Sequence, residues 1–262
     1  MKMTKKILLG AAALVAALAF VGCGAKEDTN PIEITGKGNS YAIDFTNETE
    51  AAMRGYKATA LKHAGGLVKI TIDNSSNDPS RKAGGVMGFI FDLKDNAENK
   101  NAKDFFIVGV RKGGCYVSKF TGVTNLQAYN FGYSDKEDNT KADGTVEKEY
   151  VAAFKAITLP TDDNGNPYVY VYAFGNTDGS FDWKVLNGSA TDKVKSLSDK
   201  EFSNLDFTSD MILAEGTIPA TDTGYTKQTQ NKLAVYANVY EQGTLIGNWD
   251  FVCTYKDAEI DE

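Results

Sequence analysis

Histidine is nearly absent from this sequence of 262 residues, which contains only His63. A Ser-His-Asp triad needs a histidine to carry the proton, and zinc enzymes commonly use two or more histidines as ligands. The sequence also lacks Gly-x-x-x-x-Gly-Lys-Ser/Thr and Gly-x-Gly-x-x-Gly loops placed after a predicted strand, which excludes the usual phosphate-binding motifs. The composition therefore favours a protein that is not an enzyme.

Proline is also scarce, with five in the chain, and helical periodicity occurs at one place only. Asn47 and Glu50 resemble a capping box, and apolar residues follow them at helical spacing as far as Gly65-Gly66. This pattern predicts one short helix near the start of the folded domain. A bent strand is the alternative for the same residues.

From Leu67 onward the sequence alternates between apolar and polar residues, as half-buried strands do. Lys112-Gly113-Gly114 is typical of a hairpin turn. We predict an all-β domain, an antiparallel β-sandwich of the jelly-roll type, over residues 41–262. The predicted strands are Leu67–Ile72, Val86–Leu93, Asp104–Arg111, Tyr116–Phe120, Glu149–Leu159, Tyr168–Phe174, Phe181–Leu186, Met211–Thr217, Leu233–Tyr240 and Asn248–Tyr255.

The N-terminal segment has the layout of a secretory signal. Lys2, Lys5 and Lys6 make its first residues basic. The following stretch, Ile7–Val21, contains no charged residue but is shorter than the roughly 20 residues of a membrane-spanning helix. Gly22-Cys23 follows at once. This segment resembles the lipobox of bacterial lipoproteins, in the looser form familiar from spirochaetes. The alternative is an ordinary cleaved signal that ends near a cysteine.

The lipobox resemblance implies that residues 1–22 are a signal peptide and that Cys23 carries the acyl chains. Several chains on one residue would anchor the protein stably in a bilayer. The implied location is the outer membrane, on its periplasmic face or at the cell surface. Residues 23–40 contain few apolar residues and several turn formers, so we predict a flexible tether there.

Charge restricts the partners of the mature chain. Removal of residues 1–22 takes away three lysines and no acidic residue, which changes the formal net charge from −7 to −10. An acidic surface disfavours binding to nucleic acid, because the phosphate backbone is negative. We therefore expect no nucleic-acid partner.

The middle of the chain resembles a known fold family. Gly85–Asp92, Asp104–Arg111, Gly113-Gly114 and Tyr116–Phe120 follow one another like the central strands of concanavalin-A-like, laminin-G-like jelly rolls. The resemblance implies the fold but no particular activity, since this fold includes lectins, adhesins, glycan hydrolases and inert spacers.

Hydrolase activity is the least favoured of these possibilities. Glucanases of this fold carry Glu-x-Asp-x-x-Glu on one strand, and a glycosidase needs two carboxyl groups at a defined separation. Glu147-Lys148-Glu149 lacks that spacing, and Glu259–Glu262 lies at the end of the chain.

Two tryptophans are candidates for glycan binding. Trp183 follows Asp182 and Trp249 precedes Asp250, and sugar sites combine a flat apolar ring with polar groups. Both tryptophans also lie in apolar strands, so core packing is the alternative. The alternating aromatic residues of Tyr168–Phe174 have the same two interpretations, a ligand platform or a strand buried on both faces.

Calcium is the one cofactor that the sequence suggests. Asp92, Asp95 and Asp104 crowd one predicted loop, and carboxylate oxygens are the ligands that calcium prefers. Solvated turns in an acidic protein are the alternative interpretation.

Two cysteines remain after lipidation, Cys115 and Cys253, and export would permit a disulfide between them. In the alternative, each is a small buried apolar residue.

Two functional hypotheses follow from these observations. The first is a membrane-anchored, non-catalytic binding module for a glycan or an extracellular matrix protein. The second is a structural or antigenic surface lipoprotein without a defined ligand.

Overall fold

The structure, a computed structural model, describes residues 33–37, 39–44, 52–62, 65–73, 86–111, 113–126, 147–188, 207–223, 232–240 and 246–255. These residues form thirteen strands and one helical turn. The elements are β1 Thr35–Lys37, β2 Ser40–Asp44, β3 Ala52–Lys62, β4 Gly65–Asp73, β5 Val86–Asp95, β6 Lys103–Arg111, β7 Gly114–Val123, β8 Glu147–Ala156, β9 Tyr168–Gly175, β10 Phe181–Leu186, β11 Ile212–Ile218, α1 Ala220–Thr223, β12 Lys232–Tyr240 and β13 Ile246–Tyr255.

The strands form two antiparallel sheets. The larger sheet has seven strands in the order β1-β2-β13-β4-β9-β10-β11, and the smaller has six in the order β3-β12-β5-β6-β7-β8. The chain crosses between the sheets after β2, β3, β4, β8, β11 and β12, so it passes repeatedly from one layer to the other, as in a jelly roll. The predicted antiparallel β-sandwich is confirmed.

The helix predicted before Gly65 is wrong. The residues concerned form β3, which pairs with β12 so that Tyr56 lies opposite Tyr236, and Gly65 begins β4. The interstrand hydrogen bonds of this pairing outweigh the weak local preference for a helix, which is a common outcome when tertiary contacts are available. Among the described residues, the helical turn lies elsewhere: it is α1, which follows β11.

The predicted tether also extends too far along the sequence. Thr35–Lys37 lie within residues 23–40, yet they form β1 and pair with Ser40–Ala42. Ile34, only 2% exposed, packs in the core just before β1. The folded part of the chain therefore begins several residues before Tyr41.

The main core fills the space between the two sheets, and β9 contributes to it through Val169, Val171 and Ala173. The aromatic side chains on the other face of β9 are buried as well, because Phe207 and Met211 pack against them. These side chains are Tyr170, Tyr172 and Phe174. The core-packing interpretation of this strand is therefore confirmed.

The two ends of the sandwich differ in what they contain. Neighbouring strands of the larger sheet are antiparallel, so its outermost strands, β1 and β11, run in the same direction. Residues that precede Thr35 and residues that precede Ile212 therefore leave the sheet at the same end, which we call the proximal end. Residues after Ile218 leave at the opposite, distal end.

Candidate functional site

A cleft opens at the distal end of the sandwich, with a volume of about 220 Å³. One wall comes from the end of β5, the start of β6 and the end of β7, and the other comes from α1. Charged, hydroxyl and aromatic residues share its surface. They are Lys94, Asp104, Phe105, Phe106, Lys119, Phe120, Thr121, Asp222 and Thr223.

Next to the cleft, Asp92 has a backbone conformation that is rare outside glycine. Its φ angle is +52°, in the left-handed region, and the pairing of β5 with β6 shifts register between Phe91 and Lys94. A β-bulge of this kind redirects side chains and is frequent beside functional sites. The Asp92 side chain is buried, with its residue 1% exposed.

Lys94 connects the bulge to the opposite wall of the cleft. Its ammonium group donates to Asp92 Oδ2 at 2.7 Å and also to the backbone carbonyl of Thr223. The Thr223 hydroxyl in turn donates to the carbonyl of Gly179 at 2.6 Å, in the turn between β9 and β10. These bonds join the two sheets at the distal end and hold the cleft walls at a fixed separation.

Asp104 is held in place but keeps an acceptor for a ligand. Its Oδ1 accepts from Asn96 Nδ2 and from the Gly122 backbone N–H, both at 2.9 Å, and its Oδ2 accepts from Asn96 Nδ2 at 3.1 Å. A carboxylate offers about four lone-pair sites, so one on Oδ2 remains after the three bonds that the described residues donate.

Lys119 is the second cation in the cleft. It lies opposite Phe106 on β6, so its side chain points toward the larger sheet. Glu149 lies opposite it on β8. Within the part of the chain that the structure describes, Lys119 takes part in no ion pair, so its ammonium group can donate to a ligand.

The predicted calcium site is not formed. Asp92 binds Lys94, Asp95 binds Lys103, and Asp104 binds N–H donors, so the three carboxylates do not converge on one point. The register of the β5–β6 hairpin explains one of these pairs, because it places Asp95 opposite Lys103. The hydrogen bond and charge of Lys103 lower the pKa of Asp95. Nowhere in the described residues do three or more His, Cys, Asp or Glu side chains form a group suited to a metal ion.

The predicted glycan platform at the two tryptophans is also wrong. Trp183 is 5% exposed and Trp249 is 0% exposed, and both belong to the core between the sheets, where a sugar cannot stack on them. Asp182 is engaged within the larger sheet, where it accepts from the Thr217 hydroxyl at 2.6 Å and from Asn176 Nδ2 at 3.1 Å. Asp250 is exposed, but its tryptophan neighbour points into the core.

The disulfide between Cys115 and Cys253 is not formed, since Cys115 is a free, buried thiol. Burial raises its pKa to about 11. Cys115 lies on β7 of the smaller sheet and Cys253 on β13 of the larger one. The interpretation of Cys115 as a small buried apolar residue is the one that holds. Cys23 and His63 lie outside the described residues.

The sequence did not identify the cleft, apart from Asp104. Lys94 and Lys119 come from different strands of the smaller sheet, and Asp222 follows the last strand of the larger sheet before β12, so strand pairing and sheet packing together bring them to one place. One local signal was present. Asp92 and Lys94 interrupt an otherwise apolar strand, where charged residues are costly unless they are paired.

No protein-family model matches the chain, and no curated protein matches it in sequence. Among solved structures, the chain is similar to the legume lectin-like domain from Entamoeba histolytica, with 12% sequence identity and a TM-score of 0.39. That match covers 86% of this chain and 87% of the other. None of the described helical residues forms a segment long and apolar enough to span a bilayer.

Proposed function

We propose that this chain is an exported, lipid-anchored protein whose β-sandwich binds a glycan without catalysis. The binding site in this proposal is the distal cleft. The anchor is supported by the sequence from Lys2 to Cys23, and the absence of catalysis by the lack of a histidine-based motif and of the Glu-x-Asp-x-x-Glu motif.

The observation that carries the binding proposal is the mixture of polar groups in the cleft. Sugar hydroxyls donate and accept hydrogen bonds, and the cleft offers both kinds of partner. The Lys119 ammonium donates, the free lone pair of Asp104 and the Asp222 carboxylate accept, and the Thr121 hydroxyl does either. The cleft is smaller than the roughly 300–1,000 Å³ of drug-sized ligand sites, which suits a single sugar ring at a chain end.

Charge favours a neutral sugar over an acidic one. Asp92 neutralises Lys94, and the charge of Lys119 balances only one of the two carboxylates that line the cleft, Asp104 and Asp222. One negative charge is therefore left in excess. An acidic sugar would therefore meet like charge and lose affinity.

Palmitate labelling tests the anchor. Full-length chain with Cys23→Ser should lose labelled palmitate and be released from membranes, because the acyl chains have no other attachment point in this proposal. Retention of label and of membrane association in the variant would reject it.

A glycan and matrix-protein array, probed with the soluble Cys23→Ser chain, tests binding. Lys119→Gln and Asp222→Asn should each weaken binding about tenfold, which corresponds to about 1.4 kcal/mol for one hydrogen bond to a charged group. Lys155→Gln is the matched control, because Lys155 is an exposed lysine on β8 outside the cleft. Absence of binding to every glycan and matrix protein would favour a structural or antigenic surface protein.

A further inference from the structure

We propose that the anchored protein presents its cleft away from its own bilayer. The glycan that it binds then belongs to a polysaccharide outside that membrane, and not to a glycolipid beside the anchor. This inference rests on the proposed function, since it requires acylation at Cys23 and binding in the distal cleft.

The first step concerns where the chain joins the sandwich. Ile34 is packed in the core, and the Lys57 ammonium of β3 donates to its carbonyl at 3.0 Å. This bond links the residue before β1 to the smaller sheet. The rigid part of the protein therefore begins at Ile34, and the direction of β1 sends the preceding residues toward the proximal end.

The second step concerns the distance to the cleft. Asp222 and Thr223 line the cleft and follow β11, whereas the residues before β11 lie at the proximal end. A strand of this length, Ile212–Ile218, extends about 23 Å at 3.3 Å per residue. The cleft and the attachment point are thus separated by most of the length of the sandwich.

The third step concerns the reach of the chain between lipid and sandwich. Residues 24–32 separate Cys23 from Glu33, and nine residues span at most about 32 Å when fully extended. To touch the bilayer with its distal end, the protein would need this segment to run back along the sandwich over at least about 23 Å, which uses most of its reach. Restricting a chain to such stretched arrangements costs conformational entropy. The proximal end therefore faces the membrane.

Fluorescence quenching from the bilayer tests this orientation at the two ends of one strand. Ser209 and Thr221 are both exposed and flank β11 on its proximal and distal sides. Each is replaced by cysteine in full-length acylated protein that carries Cys253→Ser. The buried, un-ionised Cys115 should not react at pH 7, so the introduced cysteine takes the fluorophore.

The labelled proteins are inserted into phosphatidylcholine vesicles with and without nitroxide-headgroup lipid. We expect a larger loss of fluorescence for the Ser209→Cys probe than for the Thr221→Cys probe. An equal loss at both positions, or a larger loss at Thr221, would overturn the proposal.

Different results would reject the anchor, the orientation and the ligand. Protein that does not stay with the vesicles would reject the anchor, and the orientation with it. A negative glycan array with a preserved quenching difference would reject glycan binding, and the polysaccharide with it, but would leave the orientation standing.

Discussion

The indole nitrogen of Trp249 donates a hydrogen bond to the backbone carbonyl of Gly88 at 3.1 Å. Trp249 lies on β13 of the larger sheet and Gly88 on β5 of the smaller one, so this bond crosses the buried core. A buried indole N–H without an acceptor would cost free energy, and the Gly88 carbonyl supplies that acceptor. The bond helps to set how the two sheets lie on each other.

Trp249→Phe should destabilise the protein by about 1 kcal/mol more than Trp183→Phe. Both substitutions remove the same ring atoms from the core between the sheets, but only the first also removes the bond to Gly88. Urea unfolding of both variants measures the difference. Equal losses would show that the bond contributes nothing beyond packing.

Asp92→Ala should lower the free energy of unfolding more than Asp92→Asn does. Both variants lose the ion pair to Lys94, but asparagine tolerates the positive φ angle that alanine disfavours. We expect the alanine variant to be about 1–2 kcal/mol less stable than the asparagine variant. Chemical denaturation checks this order, and identical stabilities would mean that the backbone conformation at Asp92 is unstrained.

Cys115 should be inert toward thiol reagents in the native protein. Burial raises its pKa to about 11, so at pH 8 only about one thiol in a thousand would be ionised even with free access. Mass spectrometry after alkylation should find the Cys115 peptide unmodified in native protein and fully modified in denaturant. A peptide pair joining Cys115 to Cys253 in a non-reducing digest would contradict the free thiol.

Asp162 should add stability that is lost in acid. The backbone N–H of Asn166 and then that of Asn164 lower its pKa below the usual 3.8, because both donate to Oδ1, at 2.8 and 2.9 Å. A lowered pKa in the folded state stabilises the protein above pH 3.8, and this contribution disappears as the pH falls through the folded-state pKa.

The free-energy difference between wild type and Asp162→Asn should therefore be constant near neutral pH and shrink below pH 3.8. The control variant is Asp163→Asn, which makes the same change of charge at the neighbouring exposed residue. Acid titration of unfolding by circular dichroism compares the three proteins. A difference that stays constant into strong acid would contradict the role of these hydrogen bonds.

The alternation of apolar and polar residues along the sequence is enough to locate most strands. Phe181–Leu186 was predicted with the bounds of β10, and Val86–Leu93 falls within β5. Strands with such strong apolar periodicity carry their own signal, because one side of each must face a core. Residues 52–62 were harder, since apolar residues three or four apart fit a helix as well as an edge strand, and the pairing with β12 decides between them.

Side-chain roles were predicted less well than strands. The sequence shows two large, amphipathic side chains at Trp183 and Trp249. It does not show that both of them point into the core between the sheets. Likewise, Asp92, Asp95 and Asp104 are close in sequence, yet each has a different partner: Lys94 on the same strand, Lys103 across the hairpin, and Asn96 in the connecting loop. Such assignments depend on which residue lies opposite, and this is a property of the sheet rather than of the segment.

The positions of β12 and β13 in the two sheets have a consequence for folding. Strand β12 lies between β3 and β5, and β13 lies between β2 and β4, so the C-terminal strands occupy interior places in both sheets. Before they emerge, each sheet is divided into two unconnected parts with no shared ladder. Such long-range pairing makes folding slow. Neither sheet is therefore complete until the C-terminal strands are available, and this order would suit the export across a membrane that we propose.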